Sequence, residues 1–207
     1  LLSGGPYATA NGVVFYCGYK VYFTELPSNL GDYFTHFRDS MTGSSHHGKV
    51  FGSTTNAASG KFRIAVANQA NSPGYTQFPR DLVLGQPYIV VTKYNSATAE
   101  SWLWVNPTSE ASQNVAAHDT SSFDTVGAYG LREDSGVGTN YIDNIVVSTS
   151  FADVVPAIVR PPINLTVDSG NVILSWTNDL FGLQSASVVT GPYSDVQNGT
   201  SPYTNSI

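Results

Sequence analysis

The residues able to do chemistry in this chain are few and scattered. Hydrolysis of a glycosidic bond with retention needs two carboxyl groups about 5 Å apart. The four glutamates, Glu25, Glu100, Glu110 and Glu133, stand alone, and three of them flank turns. There is no Gly-x-Ser-x-Gly elbow, no His-Glu-x-x-His and no phosphate-cradling glycine loop. His46 and His47 in "GSSHHGK" invite a metal reading. Neighbours on a strand point to opposite faces, however, and in a turn no nearby Cys, Asp or Glu completes three ligands. They read as solvated loop histidines, and the chain is expected to be non-catalytic.

Sugar binding asks for something else: a flat aromatic platform beside amide and carboxylate groups. In "SWLWVNP", Trp102 and Trp104 share one face of a strand, one pleat apart, with Asn106 beyond. Exposed, the pair is a stacking platform. On an inner face both are core, the commoner fate of large aromatics in a sandwich.

The elements that must position these residues are strands. In "GVVFYCGYKVYFTEL", Val13, Phe15, Cys17, Tyr19, Val21 and Phe23 fall on one face, and Val14, Tyr16, Lys20, Tyr22 and Thr24 on the other. The segments "GDYFTHFRD", "KVFGS", "GKFRIAVAN", "QPYIVVTKYN", "SWLWVNP", "FDTVGAYGLRE" and "TNYIDNIVVSTS" follow, separated by Gly, Pro, Asn and Ser. Without helices to make parallel crossovers, such a series predicts antiparallel sheets packed as a sandwich or jelly roll. Charged residues make up 12% of the 207, about half the usual ~25%. The net charge of −6 and the singly scattered Lys and Arg argue against nucleic acid or an anionic membrane as partner. No apolar run approaches a membrane span, and the single cysteine, Cys17, reads as a buried thiol.

After Val155 the texture changes. "PAIVRPPINL" concentrates proline and reads as an extended linker over 156–162, between a domain at 1–155 and a smaller β unit at 163–207. The second unit has about 45 residues, against about 100 for a seven-stranded sandwich. By likeness to related sandwiches, Trp176 reads as its buried tryptophan.

The segments "YFTHFRDS", "GKFRIAVANQANSP", "FPRDLVLGQPYIVVTKYN", "SWLWVNPTSEAS" and "YIDNIVVSTSFADV" resemble the laminin-G-like, concanavalin A-like jelly-roll domains of secreted bacterial surface proteins. "VILSW" followed by "FGLQSASVVTGPYSDVQNGTSPYTNS" resembles the fibronectin-III-like or Ig-like module that often follows them. The resemblance implies an all-β chain: a jelly-roll sandwich, then a small Ig/FnIII-like sandwich lacking its last strand. It implies a secreted or cell-surface location and no obligatory cofactor. A structural calcium ion is the one cofactor it suggests, with Asp32, Asp39, Asp119 and Asp143 as candidate donors, although Asp143 also suits a structural hydrogen-bond role. Jelly-roll glucanases of similar fold carry a Glu-x-Asp-x-x-Glu cluster, absent here. An unpaired edge at Tyr203, Thr204, Asn205, Ser206 and Ile207 recruits strands from other copies if the tail is native, and is incidental if the boundary is arbitrary. The leading expectation is therefore a non-catalytic structural or adhesive module that self-assembles by strand addition. The alternative is a carbohydrate-binding, lectin-like module taking a polysaccharide.

Overall fold

The computed structural model describes residues 2–8, 12–120, 122, 125–155, 163–176, 183–191, 193–196 and 199–206. The chain divides into two units, Leu1–Pro156 and Ala157–Ile207. In the first, the strands in chain order are β1 (Val14–Phe23), β2 (Asp32–Arg38), β3 (His46–Ser53), β4 (Lys61–Ala67), β5 (Thr76–Gln77), β6 (Leu82–Val83), β7 (Pro87–Asn95), β8 (Glu100–Val105), β9 (Asn114–Ala116), β10 (Ala128–Leu131) and β11 (Asn140–Ser148). A single helical turn, α1 (Phe151–Val154), follows. The second unit holds β12 (Asn164–Asp168), β13 (Asn171–Ser175), β14 (Gln184–Ser185), β15 (Ser194–Asp195) and β16 (Tyr203–Ser206).

The first unit is the expected antiparallel jelly-roll sandwich. One sheet runs β11-β1-β7-β8-β9 and the other β10-β2-β3-β4-β5, with β6 added on β4. The period-two pattern of β1 explains the layering. Phe15, Cys17, Tyr19, Val21 and Phe23 enter the main core with Phe34, Phe37, Val50, Phe62 and Ile64 of the facing sheet. Val14 and Tyr16 turn outward, into a second cluster with Val91, Trp104, Phe151 and Val154. α1 therefore covers the outer face of the first sheet, while the outer face of the second sheet carries only a small cluster of Tyr33, Phe51, Ala65 and Ala67.

In the second unit β13 pairs with both β12 and β16. The segment "SPYTNS" thus pairs, with Tyr203 opposite Leu174 and Ser206 opposite Asn171. Trp176 is buried, and its backbone N–H and carbonyl both bond to the Ser201 hydroxyl. The linker expected at 156–162 and the edge residue Ile207 lie outside the described residues.

Candidate functional site

Strict alternation along β2 would send Tyr33, Thr35 and Phe37 to one face and Phe34, His36 and Arg38 to the other. The pairing of β2 with β3 instead shifts register between Tyr33 and Thr35 and again between Thr35 and Phe37. A bulge re-aims the side chains that follow it. Phe34 and Phe37 both enter the core, and Tyr33 and His36 meet edge to face on the outer side, ring centroids 5.4 Å apart. On β3, Gly48 sits at φ 56°, a backbone that glycine adopts freely. His47 before it is buried and stacked on Tyr94 at 5.1 Å. His46 and Lys49 on either side both reach Tyr33. The His46 Nδ1–Tyr33 Oη hydrogen bond is 3.1 Å long, and the Lys49 Nζ lies 4.7 Å from the ring centroid. The two histidines read as loop residues therefore open a strand, on opposite faces of it.

The cluster is closed by its neighbours. The His36 and His46 ring centroids are 4.3 Å apart. The rings rest on a low floor, since Tyr33 lies opposite Phe51 and Phe51 opposite Ala65 across β2, β3 and β4. On β10, a side chain at Gly130 would begin 2.8 Å from His36 Nε2, so glycine leaves room for that ring. Beyond β10, Arg132 also lies over Tyr33, its Cζ 4.3 Å from the ring centroid. Its guanidinium pairs with Asp32 at 2.8 Å and Asp134 at 2.6 Å. It also lines a cleft of about 470 Å³ with Leu131, Asp134, Thr139 and Tyr141.

The electrostatics of this face are unlike those of the chain as a whole. Arg38 donates to the Gly43 carbonyl and Lys49 to Asn71 Oδ1 at 2.9 Å. No described carboxylate is within ion-pair distance of either. Burial, reinforced by the neighbouring His46, Arg38, Lys49 and Arg132, pushes His36 down to about 3. Burial and then Arg38 and Lys49 lower His46 as well, so both imidazoles are neutral at neutral pH. Burial raises the Tyr33 phenol and lowers Lys49. Both ring nitrogens of His36 are buried without a hydrogen-bond partner among the described residues.

The residues singled out from the sequence lie elsewhere. Leu103 and Val105 face the main core, and Trp102 and Trp104 face outward. Trp104 is nevertheless 2% exposed, because α1 covers it. Its ring meets Phe151 at 5.2 Å and its Nε1–H donates to the Glu110 carbonyl at 3.1 Å. Trp102 is half-buried beneath Lys93, whose Nζ is 4.8 Å from the ring. Asn106, at φ 51°, shapes the turn after β8, accepting the Ile89 N–H at 2.8 Å. The aspartates are apart. Asp32 pairs with Arg132, Asp143 with Lys20 at 3.4 Å, and Asp39 packs its carboxylate against Gly43. Asp119 accepts the backbone N–H groups of Asn68, Gln69 and Ala70 at 2.7 to 2.8 Å. Among the described residues no three His, Cys, Asp or Glu side chains gather as a metal site, and no helix is long and apolar enough to cross a membrane. Tyr203, Thr204, Asn205 and Ser206 form β16 at the edge of the second unit's three-stranded sheet.

No protein-family model and no curated sequence matches the chain. Among solved structures it is similar to an alginate lyase from Pseudomonas aeruginosa, at 15% identity and a TM-score of 0.40, over 70% of this chain and 69% of that one. A native heptameric SAP-like pentraxin from Limulus polyphemus gives 12% and 0.41, over 66% and 64%. A marine PL7 alginate lyase from Zobellia galactanivorans gives 14% and 0.38, over 66% and 62%. At these values the likeness is one of jelly-roll sandwiches and identifies no residue. The expectation of a non-catalytic structural or adhesive module is corrected here, because the similar structures include two alginate lyases. The expectation failed for a physical reason. It looked for clustered carboxylates on one strand, whereas the candidate site assembles Tyr, His and cations from β2, β3 and the segment after β10. The signal was present in "YFTHFR", which packs a tyrosine, a histidine and an arginine into six residues.

Proposed function

We propose that the chain binds an acidic, uronate-containing polysaccharide on the outer face of the β10-β2-β3-β4-β5 sheet and cleaves it by β-elimination. One observation carries this reading. A hydrogen-bonded Tyr33–His46 pair sits among Arg38, Lys49 and Arg132, two of which have no carboxylate partner among the described residues, in a chain of net charge −6. Uncompensated cations gathered on an acidic protein suit an anionic ligand.

In such an elimination a base removes the proton α to the uronate carboxyl group. The freed electron pair forms a carbon–carbon double bond, and the glycosidic carbon–oxygen bond breaks as an acid protonates the leaving oxygen. Cations on the carboxylate stabilise the charge that develops there, a role for Lys49, Arg38 or Arg132. The base must be neutral and the acid protonated at rest, which fits the lowered His46 and the raised Tyr33. In the tautomer that carries its proton on Nδ1, His46 donates to Tyr33 Oη and Nε2 bears the lone pair that takes the proton. The phenolic hydrogen is then free for the leaving oxygen. The cleft sharing Arg132 gives a polymer room beyond the cluster. A polymeric substrate implies action outside the cell, and the buried Trp176 with the antiparallel β12-β13-β16 sheet supports an Ig- or fibronectin-III-like companion unit.

The test is incubation of the full chain with alginate, polygalacturonate and hyaluronan, following the ultraviolet absorbance of the unsaturated product and retention on each immobilised polymer. Growth of that absorbance with at least one polymer is expected. Retention without cleavage would remove the elimination step, and neither signal with any acidic polymer would overturn the reading.

A further inference from the structure

Lys49 is positioned from outside its own strand. Its Nζ donates to Asn71 Oδ1 at 2.9 Å, and Asn71 belongs to the loop that follows β4. That loop is held by one carboxylate. Asp119 Oδ1 accepts the N–H of Asn68 at 2.7 Å, and Asp119 Oδ2 accepts those of Gln69 at 2.8 Å and Ala70 at 2.7 Å. The Asn68 side-chain amide donates back to the Asp119 carbonyl. Three successive backbone donors on one carboxylate form a compact anion nest filled from within the protein. The next residue along is the one that meets the lysine.

The chemistry of Asn71 matters as much as its place. A neutral amide oxygen fixes one ammonium hydrogen and leaves the charge intact, with two donors to spare. A carboxylate at the same distance would cancel that charge. Asp119 and Asp32 are the nearest acids that act on Lys49, both beyond ion-pair distance, and Arg132 opposes them. The neutrality of residue 71 is therefore what keeps Lys49 available to an anion.

We infer that Asn71, delivered by the Asp119 clamp, is a specificity-determining residue that reserves the Lys49 charge for an anionic ligand. This rests on the acidic-polysaccharide reading above. Asn71 is exposed, so Asn71→Asp changes charge at nearly constant shape and leaves the core untouched.

The experiment is affinity electrophoresis of the full chain through gels containing polygalacturonate or alginate, at low and raised salt, for the wild type, Asn71→Asp, Asn71→Ala and Asp119→Ala. Wild type is expected to be retarded and to lose retardation with salt. Asn71→Asp should weaken binding roughly tenfold, the size of one charge-assisted contact, and show a shallower salt response. Asn71→Ala should stay within about twofold, since the charge remains. Asp119→Ala should fall between them, and the Lys49 side-chain amine signals in NMR should broaden as its anchor loosens. Wild type that ignores every acidic polymer overturns both this inference and the reading beneath it. Wild type that binds while Asn71→Asp binds equally well overturns this inference alone.

Discussion

Each outer face of the first unit's sandwich carries a lysine lying over an aromatic ring, and the two lysines are balanced differently. On the β1-β7-β8 face, Lys93 sits over Trp102 and Tyr16 and pairs with Glu110 at 3.2 Å. The Tyr16 hydroxyl donates to the same carboxylate at 2.6 Å; burial and then this bond raise the phenol, and the bond lowers Glu110. On the β2-β3-β4 face, Lys49 sits over Tyr33 and meets only an amide, while the Tyr33 hydroxyl meets a neutral imidazole. The first face has completed its electrostatics internally and is capped by Phe151 and Val154. The second leaves Arg38 and Lys49 without a carboxylate partner among the described residues, and the two buried His36 nitrogens without a hydrogen-bond partner there. Similar residue types thus make a structural patch in one place and a candidate site in the other, and the carboxylate decides which.

The sharpest test of that contrast is a pair of matched hydroxyl deletions. Tyr33→Phe should lower turnover of a cleaved polyuronate by about 10² to 10⁴-fold, the range of general acid–base catalysis, with retention on the polymer preserved. Tyr16→Phe should leave turnover within about twofold and cost about 1 to 3 kcal/mol of stability in a denaturant titration, because its hydroxyl meets a carboxylate. Equal losses in the two variants would erase the distinction.

Next in size is the cap. Trp104→Ala empties a buried site under α1 and leaves the Glu110 carbonyl without its donor, so unfolding free energy should fall by about 3 to 5 kcal/mol. Polymer retention at a temperature where the variant is folded should be unaffected.

The lysines themselves give a smaller contrast. Lys49→Met should reduce retention on an acidic polymer roughly tenfold without loss of stability, because its burial opposes its charge. Lys93→Met should leave retention alone and cost under about 1 kcal/mol, as part-exposed ion pairs usually do.

A separate test is the pH dependence. His36 is lowered to about 3 in the folded chain, against about 6.5 when unfolded. Between those values the unfolded chain binds a proton that the folded chain refuses. Its stability contribution is therefore whole above pH ~6.5 and is lost as pH falls toward 3. His36→Leu should flatten that part of the stability–pH curve relative to wild type, and an unchanged slope would place the imidazole outside the buried cluster. For turnover, the acid limb should follow His46 and lie below the ordinary histidine range, because the base works only when neutral.

The layering is legible in the residues alone. The period-two pattern of β1 predicts its two faces, and the run of strands without helices predicts the antiparallel sandwich, because alternation along an extended chain is a local property. It also confined the Trp102/Trp104 pair to one face, leaving open whether anything covered that face. Long-range contacts set everything else. α1, distant in sequence, turned Trp104 into packing. Two register shifts in β2 and the left-handed Gly48 in β3 broke the alternation that would have sent Tyr33 and His36, or His46 and Lys49, to opposite sides. Asp119, far along the chain, brought Asn71 to Lys49. A site drawn from four segments has no linear spacing to recognise, since bulges and long-range pairings, not periodicity, set which side chains meet.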